Sequence, residues 1–310
     1  MEHTDIVNRV LEKLGHESLI SELTTRLSHS DVSTLLLALY KEITEQSSAS
    51  GLLGKYATNR FVKPAAWSPI RLKRIELAML ESAECHGFGP IELSPASILG
   101  SCSVVAKVAQ NKVVSAARGV ELISDSTNML AIYLANGINN KTIDNAASDV
   151  QVCSACRVTR AQQFEGNLAI PHFGLFSLVS SGKDTGSYRF EKEAMAKQIE
   201  YYIHYYGDRL GKEVKVFLHM RKGYTDSDGF MDRMYEHLIG RFPSCSFIRD
   251  REASDNAYYR GINFKIDVNG ASIVDGGFVD WTQQLLGNKK ERLLISGTGI
   301  DLQLITGLVE

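Results

Sequence analysis

A chain of 310 residues that is 44% hydrophobic and 23% charged has ordinary globular composition, and it is long enough to bury a sizeable core without disulfides or metals. The formal charge of −2, from 34 basic and 36 acidic residues, argues against a protein built mainly to coat nucleic acid. No apolar run reaches the roughly 20 residues that span a bilayer, the start Met1-Glu2-His3-Thr4-Asp5 has no secretory n- or h-region, and five cysteines make no disulfide framework, so a soluble, cytoplasmic setting is expected.

The first fifty residues read as a small helical extension. Ile6, Val10, Leu11 and Leu14 recur at helical spacing and stop at Gly15. Leu19, Ile20, Leu23 and Leu27 make a second stripe. Ser30 can cap a third helix bearing Leu35, Leu36, Leu39 and Ile43. Ser47 to Gly51 reads as a linker. These helices are expected to pack on the main body, which is assigned to residues 60–310.

In that body, Ser68-Pro69 can open a helix, with Pro69 at its first position and Leu72, Ile75, Leu77, Met79 and Leu80 forming its apolar face. A short strand is expected over Ile91 to Leu93, a helix over Thr127 to Ala135 and a buried strand over Phe173 to Val179. The longest helix runs from Glu191 to Tyr206. Val214 to Leu218 and Gly261 to Val268 alternate as strands. Leu293 to Gly297 followed by Ile300 to Leu308 reads as strand, glycine turn, helix. The pattern is α+β and lacks the regular alternation of a doubly wound sheet.

Four constellations carry possible chemistry. Cys153 and Cys156 have a paired-thiol spacing, but a zinc site needs a second pair or histidines at matching spacing; two small core cysteines on a strand are the simpler account, and no metal is expected. Arg157 and Arg160, followed by Gln162, can grip a phosphate or carboxylate from a strand end. In a strand, Arg157 and Thr159 point one way while Val158 and Arg160 point the other. Tyr258 and Tyr259 before Arg260-Gly261, with Gly276 and Gly277 downstream, can wall a pocket. Gly297 and Gly299 allow close backbone approach to an anion.

The order of these segments resembles the catalytic domain of class II aminoacyl-tRNA synthetases over roughly residues 67–310. His86-Gly87-Phe88-Gly89-Pro90-Ile91-Glu92-Leu93-Ser94-Pro95 is similar to motif 1, and Leu122-Ile123-Ser124-Asp125-Ser126-Thr127 to the family's Leu-Arg-Pro-Glu/Asp-x-Thr segment. Cys156-Arg157-Val158-Thr159-Arg160-Ala161-Gln162 resembles the histidyl-type motif 2. Tyr258-Tyr259-Arg260-Gly261-Ile262-Asn263-Phe264 is similar to the histidyl signature Tyr-Tyr-Thr-Gly-x-x-Phe, Gly276-Gly277 falls at its Gly-Gly-Arg-Tyr-Asp, and Ser296 to Leu304 resembles motif 3. The regulatory subunit of ATP phosphoribosyltransferase shares this resemblance.

The resemblance implies a six- or seven-stranded, mostly antiparallel sheet flanked by helices, a homodimer, and a reaction using ATP and Mg2+. It assigns Arg157 to the α-phosphate, with Arg260 as a displaced catalytic cation. Asp125, Thr127, Arg160, Gln162, Tyr258, Tyr259, Gly276, Gly277, Gly297 and Gly299 are the candidate ligand-binding residues. Departures are as informative. Leu302-Gln303 replace the motif 3 arginine, Thr159 replaces the motif 2 glutamate, Ser254 falls at the second catalytic arginine, and apolar residues near Leu175 and Val179 replace the acceptors that read histidine. No anticodon-binding domain follows motif 3 in this sequence, so tRNA charging is not expected. Three readings stay open. One is a paralogue binding an amino-acid-like molecule and reporting to a partner enzyme. The second is an enzyme adenylating a carboxylate for a small acceptor or carrier protein, and the third is a structural partner.

Overall fold

The computed structural model describes residues 3–162, 171–252 and 258–309. Four helices open the chain: α1 (His3–Leu14), α2 (Leu19–Arg26), α3 (His29–Glu45) and α4 (Ala49–Thr58). Helix α3 is capped by Ser28, not Ser30. The Ser28 hydroxyl accepts from the Asp31 N–H while the Asp31 carboxylate accepts from the Ser28 N–H, a reciprocal capping box. The expected linker at 47–51 is also a helix start, because the Ser48 hydroxyl accepts from the N–H of Gly51 and begins α4. Serine suits loops and caps through the same side-chain acceptor, so composition alone did not separate the two. The helices do not bury their stripes in the main body. Only Leu11 of this segment is buried, while Leu35, Leu39, Leu53 and Tyr56 are exposed.

A short strap, in which Asn59 caps a single turn over Arg60–Val62, leads into the body. Helix α5 (Pro69–Cys85) has proline in its first turn as expected, although the Ser68 side chain makes no cap bond. It buries Leu72, Ile75 and Met79 but leaves Leu77 exposed. The following strand pairs earlier than expected: β1 (Gly89–Pro90) lies beside residues 152–153, and Ile91 to Leu93 lie beyond it. Next, β2 (Ala96–Ile98), β3 (Ser115–Ala116) and β4 (Val120–Leu122) form a small sheet in the order β2-β4-β3. Glu121, fully buried, accepts from the N–H groups of Gly100 and Cys102 and from Gln110, which pins the intervening loop.

The main sheet is built from β1, β5 (Val150–Thr159), β6 (His172–Lys183), β7 (Val214–Met220), β8 (Ser246–Asp250), β9 (Arg260–Val268), β10 (Ala271–Val279) and β11 (Glu291–Gly299). Among the described residues it has eight strands rather than six or seven, in the order β1-β5-β6-β11-β10-β9-β7-β8. Pairing is antiparallel through the middle and parallel at both edges, where β1 meets β5 and β7 meets β8. The expected glycine turn at 297–299 lies within β11, which runs to Gly299 and passes directly into α10 (Ile300–Ile305).

Helices cover both faces. On one, α5, α7 (Arg189–Tyr202), α8 (Ser227–Arg241) and α10 enclose the larger core with Met79, Phe176, Phe190, Phe264 and Leu294. Helix α7 continues through a wider turn over Ile203–Arg209 and buries Tyr201, Tyr202, Tyr205 and Tyr206. Their hydroxyls need partners in so apolar a setting. Tyr201 donates to the Met79 carbonyl, and Tyr202 and Tyr206 meet Ser296 and Thr298 on β11. On the opposite face, α6 (Ser126–Asn139) and α9 (Trp281–Leu286) cover a smaller cluster containing Leu130, Leu134, Val158, Leu175, Val179 and Ile295. Burial on both faces explains why β6 reads as a continuous apolar and small run rather than an alternation.

Gly276 sits at a close-packed point of the sheet, between Phe264 on β9 and Ser296 on β11. A Cβ there would lie 2.6 Å from Ser296 Cβ and 2.8 Å from the Ile295 carbonyl oxygen, neither at the end of a flexible chain. Gly276→Ala is expected to cost about 1–3 kcal/mol, as overpacking of a filled core does. Urea unfolding should show a lower midpoint with an unchanged m-value; an unchanged midpoint would refute the packing account.

Candidate functional site

A cavity of about 810 Å3 opens on the α6 face of the sheet, the size range of small-molecule sites. Its wall is made by the N-terminal turn of α6. Asp125 is the N-cap, and its Oδ1 accepts from the Thr127 N–H at 2.9 Å and the Thr127 hydroxyl at 2.8 Å. Ser126 anchors this turn to the floor through a 2.6 Å bond to Ser177 on β6. The other oxygen of Asp125 accepts from the Tyr258 hydroxyl at 3.4 Å.

Tyr258 and Tyr259 stand edge to face, centroids 4.8 Å apart, and Trp281 braces Tyr258. Each tyrosine serves a different carboxylate: the Tyr259 hydroxyl donates to Asp275 Oδ2 at 2.8 Å. Asn263 donates to Asp275 Oδ1 at 3.3 Å, and Arg221 fixes the Asn263 amide by donating to its oxygen at 2.6 Å. Burial, and then the neighbouring carboxylates, push both tyrosine hydroxyls well above their ordinary range, so they act as donors. Asp275 meets solvent through the cavity mouth but is hemmed in by protein. That confinement raises its carboxyl pKa, against the opposing pull of Tyr259, Lys265, Asn263 and Arg221.

The two arginines of the motif 2-like segment part company. Arg160 lines the cavity, donates through Nε to the Ser124 carbonyl at 3.1 Å, and lies over the Phe173 ring at 5.0 Å. Arg157 is not among the cavity-lining residues. Cys156 pairs with Leu175 and Arg157 with Gly174, so Cys156 and Val158 face the cavity side while Arg157 projects toward α10. There it donates to buried Asp301 at 3.1 Å and to His172 Nδ1 at 2.8 Å, and His172 Nε2 donates to the Lys63 carbonyl at 2.6 Å. Arg260 is likewise outside the cavity lining, held by two bonds to Asp280 at 2.8 and 3.2 Å.

Gln162, Thr127, Gly297 and Gly299 line the cavity together with Asp125, Arg160, Tyr258 and Tyr259. Gly276 and Gly277 do not. Gly277 instead gives the Tyr259 ring its place, since a Cβ would lie 2.6 Å from that ring. Ser254 falls outside the described residues. The positions expected to read histidine are apolar as the sequence implied: Leu175 lines the cavity and Val179 is buried behind it. Sequence reasoning missed Lys112, Lys265 and Asp275, all lining residues. Asp275 had one available signal, its position directly before Gly276-Gly277.

The thiols offer no reactive centre. Cys153 and Cys156 lie three apart on β5 and so face opposite sides of the sheet, and burial pushes both up to about 12. No group of three or more His, Cys, Asp or Glu among the described residues is placed to hold a metal ion. No helix among them is long and apolar enough to cross a membrane.

No family model and no curated protein matches the sequence. Solved structures do match. An ATP phosphoribosyltransferase regulatory subunit/histidyl-tRNA synthetase from Bacillus halodurans superposes with a TM-score of 0.60 at 16% identity, covering 81% of this chain and 83% of that one. Histidyl-tRNA synthetase from S. aureus gives 0.60 at 13% identity, over 80% and 68% of the two chains. That from Nostoc sp. PCC 7120 gives 0.57 at 16%, over 81% and 76%. The fold is that of the class II synthetase catalytic domain. At these identities the likeness is one of architecture.

Asp275 makes stability depend on pH in a defined direction. Its carboxyl holds a proton more readily folded than unfolded, so its contribution is present below the ordinary carboxylate range and is lost as pH rises through the raised value. Asp275→Asn should flatten that part of the stability–pH curve, measured by urea unfolding across acidic to neutral pH. An undiminished slope would show that Asp275 is not its source.

Proposed function

We propose that this chain is a histidyl-synthetase-like paralogue that does not charge tRNA and binds an amino-acid-like molecule in the cavity on the α6 face, in a regulatory or otherwise non-parental role. The observation that carries this is the division of charged groups. The acceptor side of the cavity is intact, with Asp125 oriented by Thr127 and Tyr258, and suits a ligand ammonium. The cations expected for adenylation are engaged by other carboxylates, with Arg157 outside the cavity lining and paired with Asp301, and Arg260 paired with Asp280. Stabilising the charge that develops on an α-phosphate requires donors aimed at it, and loss of one such donor costs a factor of about 10²–10³. Arg160, with Lys112 and Gln162, suits the carboxylate of an amino acid.

A carboxylate-activating enzyme using ATP and Mg2+ is the second reading, favoured by one observation, the placement of Arg160 and Lys112 in the same cavity. In the first reading the protein acts as a homodimer and reports occupancy to a partner enzyme. The likeness to a regulatory subunit of an ATP-consuming transferase supports that role.

Two measurements separate the readings. ATP–pyrophosphate exchange with Mg2+ across the standard amino acids should stay at background, and exchange with any of them would overturn the regulatory reading. Thermal shift should show stabilisation by an amino acid without ATP. At a hundredfold excess over Kd this amounts to about 2.7 kcal/mol, several degrees of Tm in a chain of this size, and Asp125→Asn should reduce it. Sedimentation is expected to give about twice 34.3 kDa, and a monomer at micromolar concentration would exclude the dimer.

A further inference from the structure

The cavity floor has a polar line across it that the histidine-reading positions do not supply. In the sheet, Asp275 on β10 pairs with Lys265 on β9 and with Gly297 on β11, and Gly297 pairs with Ser177 on β6. Directly opposed residues project to the same face, so Lys265, Asp275, Gly297 and Ser177 form one row. Lys265, Asp275, Gly297 and Ser177 all line the cavity. Gly297 carries no side chain, and a Cβ built there would lie 3.2 Å from the Phe176 carbonyl oxygen and 3.4 Å from Leu175 and Ser177, so the floor at this position is close-packed backbone. Ser177 is engaged by Ser126. Beside Ser177 and Gly297 the flanking positions are apolar, Leu175 to one side and Ile295 and Val179 to the other, while beside Asp275 and Lys265 one flank carries Asn263.

Three carboxylates line this cavity, and their partners distinguish them. Asp301 is buried and neutralised by the Arg157 guanidinium, with the Gly174 N–H on its other oxygen at 2.6 Å, whereas Asp275 is exposed to the cavity and has no ion pair within 4 Å among the described residues. Asp125 belongs to the α6 cap. Asp275 is oriented by one donor on each oxygen, Tyr259 and the longer bond from Asn263. Each carboxylate oxygen has a further lone pair, so Asp275 can accept again. Its raised pKa agrees with a carboxylate short of compensating donors. Lys265, opposite it, offers donors and no acceptor.

We infer that Asp275 and Lys265 form the subsite that selects the ligand's side chain, and that the side chain selected ends in a carboxamide. A carboxamide presents an NH2 donor pair and a carbonyl acceptor on one carbon, which matches a carboxylate and an ammonium projecting side by side. A carboxylate side chain would be repelled by Asp275, and an apolar one would leave Asp275 desolvated without compensation. The inference rests on the amino-acid-binding reading above and names the substrate class of that site: glutamine- or asparagine-like amino acids.

Isothermal titration of the whole chain with asparagine, glutamine, aspartate, glutamate, leucine and histidine tests it. Glutamine or asparagine should bind at least tenfold more tightly than the other four. Asp275→Asn and, independently, Lys265→Met should each shrink that preference while urea unfolding shows both variants folded. Preference for leucine, histidine or an acidic amino acid overturns the inference and leaves the amino-acid-binding reading standing. So does a carboxamide preference that survives both substitutions. Binding by none of the six overturns the inference, and silence across the remaining standard amino acids as well overturns the amino-acid-binding reading.

Discussion

Side chains alternate along a strand, so a single pairing decides which face every residue of that strand serves. Here the deciding pair is Cys156 opposite Leu175. It gives the cavity side of β5 to Val152, Cys156 and Val158, all apolar or weakly polar, and sends Arg157 to the other face. Asp301, 2% exposed, would be costly to bury without compensation. Arg157 and the Gly174 N–H supply it and thereby fasten α10 to the β5–β6 end of the sheet. Had the register slipped by one, the guanidinium would enter the cavity and Asp301 would lose its counter-charge. The cavity's own arginine comes from position 160, one residue past the strand end, where alternation no longer constrains it.

The aromatic wall follows from the same economy of polar groups. Tyr258 and Tyr259 are adjacent in sequence, yet one turns to Asp125 on α6 and the other to Asp275 on β10. Their edge-to-face packing, with Trp281 behind, fixes both rings. Gly277 makes this possible by leaving space under the Tyr259 ring. A glycine that carries no ligand contact therefore still sets where a carboxylate is held.

Much of this architecture was legible in the residues. The class of fold follows from the order of segments whose individual signals are weak, and Asp125, Thr127, Arg160, Gln162, Tyr258 and Tyr259, which stand out in the sequence, line one cavity. What was not legible depended on register or tertiary partners. The sequence near Arg157 fits either face of a strand until Leu175 is known to lie across from Cys156. Arg260 reads as a free cation until Asp280, twenty residues on, is found beside it. Lys265 and Asp275 are unremarkable apart, since only the antiparallel pairing of β9 and β10 sets them side by side. Ser28 and Ser48 show the same limit locally, because a hydroxyl's cap bond depends on the turn that follows it.

The strap that follows α4 and the helix α10 meet at one corner of the sheet. Arg60, on the strap below α4, donates to the carbonyls of Ala161 and Gln162, just after Arg160. His172 takes a hydrogen bond from Arg157 on Nδ1 and gives one from Nε2 to the Lys63 carbonyl, which ties the strap to the end of β5. Arg157 in turn holds α10 through Asp301. The segment carrying Arg160 and Gln162 is thus positioned by groups outside the cavity: a strap from the N-terminal side, a helix from the C-terminal side, and one imidazole between them. Arg157 keeps a structural task at this corner although it does not line the cavity. The buried carboxylate that Arg157 neutralises requires a charged partner, which is reason enough for an arginine at this position.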